Sequence, residues 1–600
     1  MSTQHDMEAL LCDLSTTSGS IAEAVRYAHK HLQLPECRNT AIDVFPPTQM
    51  AHSIGKLCRC RGMIQEVQPE LRLFCASREN FFKSAQEVAD GEEVHYMDAV
   101  LLYVIPVPGN LHFYTADEPL LSSGAAHAGT LRKRVDREEC TSTGVATSSS
   151  EEERVRKSVR HTTTKSDTIT ATVEASNSTT FGPSLNFPHP SCSSELQSAC
   201  VVTVLLPGDD GARQNPFRIN DVMDFYGYQH FPDDQLPVNE VDEVQRFSAW
   251  NATELSRGLV SRLLCLSYTP VSSLHVRRHI TTPALIEPPM TEARAKAIAY
   301  LTSTLTKGDA LAAEYLLLHL CARVSMHSAS MPVGDLPLLI ISPQVTAAEW
   351  SAQLREIVPV AEILLTQEVL RSLPQGRLTP KYNNDLNYLE TGVLQVANGT
   401  HVTIDCASLG SRDEVWYEGM FALIHKQQLL LEYPYQTLEL PVDVSTLAVD
   451  SRDALDAVHP LFRFAMRLRL STEPNRHLED AAQTHPISSG TVRNYLDAVR
   501  CLDAPSPVDD SLSESASRAL LKMSTNLPGW NNRDPLLHNN SFSVAMALMR
   551  AHAASYGRRS FSAEDIATVC ELERARMERF LVHPPSVLSA TLPEAEEQLA

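Results

Sequence analysis

The chain has 600 residues, and its 73 Asp and Glu against 51 Lys and Arg give a formal net charge of −22. That length is too great for one core, so two to four domains are expected, and the acidic balance opposes nonspecific binding to nucleic-acid phosphates. There is no eighteen-residue apolar run and no signal-peptide pattern, and the 13 cysteines have no regular spacing, which disfavours a membrane span, secretion and a disulfide framework.

Residues 7–32 carry helical periodicity in Leu10, Leu11, Leu14, Ile21, Ala24, Val25 and Ala28, and 1–48 reads as a helical segment. Strand patterns follow at Lys56 to Ile64, Leu71 to Cys75 and Ala99 to Ile105. Roughly 121–198 fills with Ser, Thr and mixed charge and cannot bury enough apolar surface to offset its chain entropy, so disorder is expected there. Strands resume at Ala199 to Leu206 and Pro216 to Tyr228. Together, 49–120 and 199–288 suggest a small barrel of the oligonucleotide-binding (OB) type split by the insertion, its last part a loop-rich passage.

From 289 to 455 helix and strand alternate, which favours an α/β sheet. Asp309 reads as the N-cap of a helix that is apolar nearly all round, and Leu336 to Ile341 as a buried strand. The turn Ala397-Asn398-Gly399-Thr400 precedes the β-branched run His401 to Ile404, which ends in Asp405. From Leu461 the pattern is helical, so 456–600 is expected to be a helical domain. Near its end Ser562 and Asp565 could form a capping box, with Phe561 and Ile566 placed as a hydrophobic staple.

In this order, CRCRGMIQEV (58–67), FRINDVMDFYG (217–227), GDALAAEYLLLHLCARV with MPVGDLPLLI (308–340) and LETGVLQVANGTHVTID (389–405) resemble the MCM-binding protein family. A second resemblance underlies it, to subunits of the minichromosome maintenance (MCM) helicase. The segment 461–485 is similar to the one carrying their arginine finger, and 492–500 with 543–569 to their helical lid. The resemblance implies a mixed multidomain fold: a split OB-type β-barrel, a degenerate AAA+-like α/β core and a C-terminal helical lid. It also implies a nuclear protein of the cell cycle and DNA replication, with links to sister chromatid cohesion. Such a protein would bind MCM subunits, replace one subunit in an alternative complex, and assist assembly, storage or unloading of the helicase.

The residues oppose catalysis. A phosphate loop needs glycines whose N–H groups wrap phosphate, a Lys, and a Ser or Thr for magnesium. The corresponding stretch, Ser342-Pro343-Gln344-Val345-Thr346-Ala347-Ala348-Glu349, has no glycine or lysine and carries an acidic residue. Asp405 stands where a magnesium carboxylate would be, yet the Glu that should follow to orient water is Cys406. Asp405 is therefore either a remnant magnesium site or a strand-end carboxylate capping the next turn. Arg463 keeps the finger's residue type between Phe462 and Phe464, and reads as an interface or ion-pair residue. No catalytic, cofactor or metal site is assigned.

Weaker features have simpler readings. His52, Cys58, Cys60 and Cys75 lack zinc spacing and read as core residues, and His319 with Cys321 as packing. Ser148 to Ser150 before Glu151 to Glu153 could be read by a kinase, and Arg132-Lys133-Arg134 with Arg154 to Arg160 could form a nuclear import signal. Neither membrane, small-molecule substrate nor direct nucleic acid is expected as a partner. The alternatives are a nucleic-acid-binding OB-fold replication factor and an atypical AAA+ ATPase.

Overall fold

The computed structural model describes residues 21–32, 34, 41–44, 57–75, 95–109, 200–206, 216–229, 261–271, 289–327, 332–372, 378–384, 388–409, 414–452, 460–462, 464–471, 487–502, 509–527, 530 and 541–582. The insertion 121–198, with its serine and basic clusters, lies outside them, as do His52 and Arg463.

Helix α1 (Ile21–Leu32) precedes six strands: β1 (Ile42–Asp43), β2 (Leu57–Cys75), β3 (His95–Ile105), β4 (Cys200–Leu206), β5 (Val222–Gln229) and β6 (Ser261–Pro270). The last five run β2-β3-β4-β6-β5, and pairing of β5 with β2 closes them into a barrel. Only β4 and β6 within that ring are parallel. The alternation at the start of β2 sends Cys58 and Cys60 inward, where they meet Cys200, Cys265, Phe225 and Val202 in the barrel core. Burial pushes the Cys60 thiol up, as expected of packing residues without thiolate character. Arg61 and Asp224 stand opposite each other across the closing seam, with Nε and Nη2 on the carboxylate at 2.5 and 2.6 Å.

Two barrel expectations need correction. The sequence patterns at Lys56 to Ile64 and Leu71 to Cys75 are halves of the single strand β2; its register shifts around Glu66 and again between Val67 and Glu70, where Pro69 cannot donate to a ladder. The fifth barrel strand is β6, inside the passage read as loop. Its run LLCLSYT is short and bounded by turn-rich sequence, so periodicity alone does not mark it.

The second half begins with α2 (Met290–Thr304) and α3 (Ala310–Cys321). Asp309 caps α3 by accepting from the Ala312 N–H at 3.0 Å, and also binds the Arg579 guanidinium. Tyr315 to Cys321 are all buried, and each fully buried Leu there contributes about 1.5–3 kcal/mol relative to exposure. A short hairpin of β7 (Met326–His327) and β8 (Pro332–Val333) leads to β9 (Leu338–Ile341), α4 (Ala347–Ile357), β10 (Glu362–Leu365) and α5 (Gln367–Ser372). Then come β11 (Lys381–Asn383), β12 (Tyr388–Glu390), β13 (His401–Asp405), α6 (Glu414–Phe421), β14 (Gln428–Tyr433), β15 (Gln436–Pro441), β16 (Ser445–Asp450) and β17 (Arg467–Arg469).

Five of these strands form an all-parallel sheet in the order β10-β13-β16-β9-β17. Strands β12, β11, β14 and β15 make a separate smaller sheet, so Leu389 and Asp405 belong to different sheets joined by the Asn398-Gly399 turn. Strand β17 corrects the helical reading after Leu461: Met466-Arg467-Leu468-Arg469-Leu470 alternates, and Leu468 is buried against the sheet core. Helices α7 (Ser489–Arg500), α8 (Asp510–Asn526), α9 (Ser541–Ser555) and α10 (Ala563–Val582) follow. They share one hydrophobic cluster with α2, α3, α4 and β9, including Trp350, Leu316, Tyr495, Trp530 and Leu548.

The barrel is joined to the sheet half by buried polar contacts. Gln65 donates to the Leu389 carbonyl at 3.1 Å, and Gln395 donates to the Gln65 carbonyl at 2.9 Å. Gly109, at φ +78, sits so close to β10 that a Cβ there would lie 2.7 Å from the Glu362 carbonyl oxygen.

Candidate functional site

The carboxyl ends of parallel strands are where an α/β sheet offers ligands a crevice. Here that edge carries Ser342 after β9, Asp405 ending β13 and Asp450 ending β16. Ser342 is fully buried, and its N–H donates to the Asp450 carbonyl at 2.9 Å. Five residues, Ser342 to Thr346, connect β9 to α4, and Val345 is buried beneath them.

The start of α4 is already capped. Thr346 Oγ1 accepts from the Glu349 N–H at 3.3 Å, and the Glu349 carboxylate accepts from the Thr346 N–H at 2.9 Å. A helix N-terminus attracts anions through its free N–H groups and its dipole. Glu349 supplies that anion from within the chain. The Thr-x-x-Glu spacing is a sequence signature of this cap, and it accounts for the acidic residue at a position where phosphate would be expected.

Asp405 is turned to its own loop. Its Oδ1 accepts from the N–H groups of Ala407 and Ser408 at 3.1 and 3.3 Å, and its backbone carbonyl accepts from the Ser408 hydroxyl at 3.0 Å. This is the turn-capping arrangement. Cys406 is buried, and its thiol is pushed well above the ordinary range by burial and by the neighbouring Asp450 and Asp405 carboxylates.

A further charged contact on this edge is not evident from sequence patterning. Asp450 is fully buried, and Arg452 binds it through Nε at 3.0 Å and Nη2 at 2.8 Å. The same Nη2 donates to the Cys406 carbonyl at 3.0 Å. One guanidinium thus ties the end of β16 to the end of β13. Arg463 lies outside the described residues, while its neighbours Phe462 and Phe464 are buried in the sheet core.

The opposite edge of the sheet holds a buried polar chain. His319 Nδ1 donates to the Leu336 carbonyl at 2.6 Å, leaving Nε2 to accept from His401 Nε2 at 3.0 Å. His401 Nδ1 meets Glu362 Oε2 at 2.5 Å, and the Thr403 hydroxyl donates to Glu362 Oε1 at 2.5 Å. Burial, then the adjacent His401 and Arg500, hold His319 down to about 3. Among the described residues no group of His, Cys, Asp and Glu has the arrangement of a metal site, and no helix is long and apolar enough to cross a membrane.

Fold and edge together define a class: a closed five-strand barrel joined to a parallel α/β sheet whose ligand-facing loops are bonded to themselves. The chain belongs to the family described as mini-chromosome maintenance replisome factor, whose model matches residues 41–580. It is 26% identical over 557 residues to the mini-chromosome maintenance complex-binding protein of Arabidopsis thaliana, covering 87% of each chain. The protein of that name from Drosophila melanogaster is 25% identical over 495 residues, 74% of this chain and 78% of its own. The Salmo salar protein is 28% identical over 314 residues, 47% of this chain and 48% of its own.

Proposed function

We propose that this chain binds the MCM complex and takes part in DNA replication as a binding protein without nucleotide hydrolysis. The names of its relatives support the partner, and the closed N-terminus of α4 supports the absence of turnover. The parallel order β10-β13-β16-β9-β17 has one strand between β13, with Asp405, and β9, which leads to Ser342. That order supports descent from a phosphate-binding AAA+ sheet, and the closed barrel supports an OB-type origin. Shared ancestry with helicase subunits would let the chain take one subunit's place in an alternative nuclear complex that assembles, stores or unloads the helicase. A nucleic-acid role for the barrel has less behind it, because Arg61, on the outer face of β2, is committed to Asp224.

The test is native mass spectrometry of the purified chain mixed with MCM subunits. A complex containing one copy of this chain and lacking one particular subunit supports replacement. Complexes that retain every subunit and add this chain outside them would refute replacement while keeping binding.

A further inference from the structure

A pocket of about 50 Å³ opens where the end of α3, the loop around Gly334, α7 and α9 come together. Its floor is apolar, with Ala322, Val499, Ala547 and Ala551 all buried. Among the described residues four arginines, Arg323, Arg550, Arg558 and Arg559, line it, and no Asp or Glu does. In a chain of net charge −22 this is a local reversal of sign. It lies away from the strand ends bearing Ser342, Asp405 and Asp450, none of which lines it.

The guanidiniums are partly held in place before any ligand arrives. Arg558 binds Asp565 at 2.8 and 2.7 Å, and Arg323 donates to the Arg500 carbonyl at 3.0 Å. Asp565 is itself fixed by His552 at 2.6 Å and by the Ser562 N–H at 2.6 Å. Held cations lose little freedom on binding, and the planar guanidinium fork matches a carboxylate. Arg550 adds a demand of its own, since its Nε is buried and makes no hydrogen bond among the described residues. A buried donor without an acceptor is unfavourable, and Arg550 also lines the pocket.

Size and lining choose among anions. A water needs about 10–15 Å³ on this measure, so the pocket takes a group the size of a small side chain. Among the described residues no aromatic side chain lines it to stack a base, which disfavours single-stranded nucleic acid. The geometry points to a docking site for an acidic peptide segment of a protein partner. A small apolar side chain of that segment would sit among the alanines, with flanking carboxylates on the guanidiniums.

The full chain is titrated into a fluorescein-labelled Glu/Leu peptide and followed by anisotropy, beside a Lys/Leu peptide and an oligo-dT of equal length. The Glu/Leu peptide should bind at least tenfold more tightly than either, and added salt should weaken it. Arg559→Glu, at an exposed position, should weaken binding tenfold or more without lowering the melting temperature. Arg550→Gln should also weaken it, and Arg559→Glu carries the test if that variant folds poorly. Arg518→Glu, a reversal of an exposed charge on α8 outside the pocket, should leave binding unchanged. Equal binding of the Glu and Lys peptides, equal losses in Arg518→Glu and Arg559→Glu, or an Arg559-dependent preference for oligo-dT would each overturn the proposal.

Discussion

Glu349 and Thr346 close the first turn of α4 on each other, side chain to backbone in both directions, at 2.9 and 3.3 Å. The pair occupies the helix N-terminus that follows strand β9, where backbone N–H groups could otherwise bind an anion. An ATP phosphate arriving there would meet a carboxylate that has already taken the N–H and the dipole.

Replacing Thr346, the N-cap of α4, with Ala should cost about 1 kcal/mol, the usual worth of a helix N-cap, read as a lower urea midpoint with an unchanged slope. Magnesium ATP at millimolar concentration should leave the melting temperature of the parent chain unmoved, since a ligand raises stability only through its affinity for the folded state. A clear upward shift would contradict the closed-site account.

Asp405 separates the capping and magnesium readings through its amide. Asp405→Asn keeps an acceptor oxygen for the Ala407 and Ser408 N–H groups, so it should stay within a few tenths of a kcal/mol of the parent. Asp405→Ala leaves those donors without their partner and should cost about 1–2 kcal/mol. Denaturation of the three proteins with and without magnesium decides it. A magnesium-dependent stabilisation lost in Asp405→Asn would favour an ion site.

How much of this the sequence carried varied with the physics involved. Cys58 and Cys60 were readable as core residues because strand alternation fixes which face they take. The Asp309 cap was readable because capping is a local act. At Ser562 the structure realises one half of a capping box, with Asp565 accepting from the Ser562 N–H and hydroxyl, while Phe561 and Ile566 are both buried as a staple would require. Strands β6 and β17 escaped because their status depends on partners far along the chain, β5 for one and β9 for the other. The turn contacts of Asp405 are visible only in the geometry, since one residue type suits a cap and an ion equally. Arg452 on Asp450, His319 on His401, and the four arginines of the pocket are juxtapositions across long sequence separations, and no local pattern announces them.

The chain from His319 to Glu362 should be intolerant of a missing member. Glu362→Ala leaves His401 Nδ1 and the Thr403 hydroxyl buried without a partner, and should cost about 3–5 kcal/mol, as breaking buried ionisable pairs does. The pH sign follows from His319, whose value falls from 6.5 unfolded to about 3 folded. The unfolded chain then binds more protons between those values, so stability is present above 6.5 and declines as pH drops toward 3. Urea midpoints of His319→Gln and the parent should converge as pH is lowered through that window. A gap that stays constant would refute the assignment.

Asp335 predicts the opposite slope. Burial, then the nearby Asp443, raise its carboxyl from 3.8 to about 7. Between those values the folded chain binds the extra proton, so this group's contribution falls as pH rises from 3.8 toward 7. Asp335→Asn should gain stability relative to the parent when moved from pH 4 to pH 8, measured by thermal melts at both. A difference independent of pH would count against it.

We propose that this chain is a partner of the MCM complex. The most direct test is affinity capture of the tagged full-length chain from replicating cells, followed by quantitative mass spectrometry of MCM subunits. Several MCM subunits should be recovered at levels comparable to the bait, equally with the parent and with Asp405→Asn. Recovery of none of them from replicating cells would contradict it.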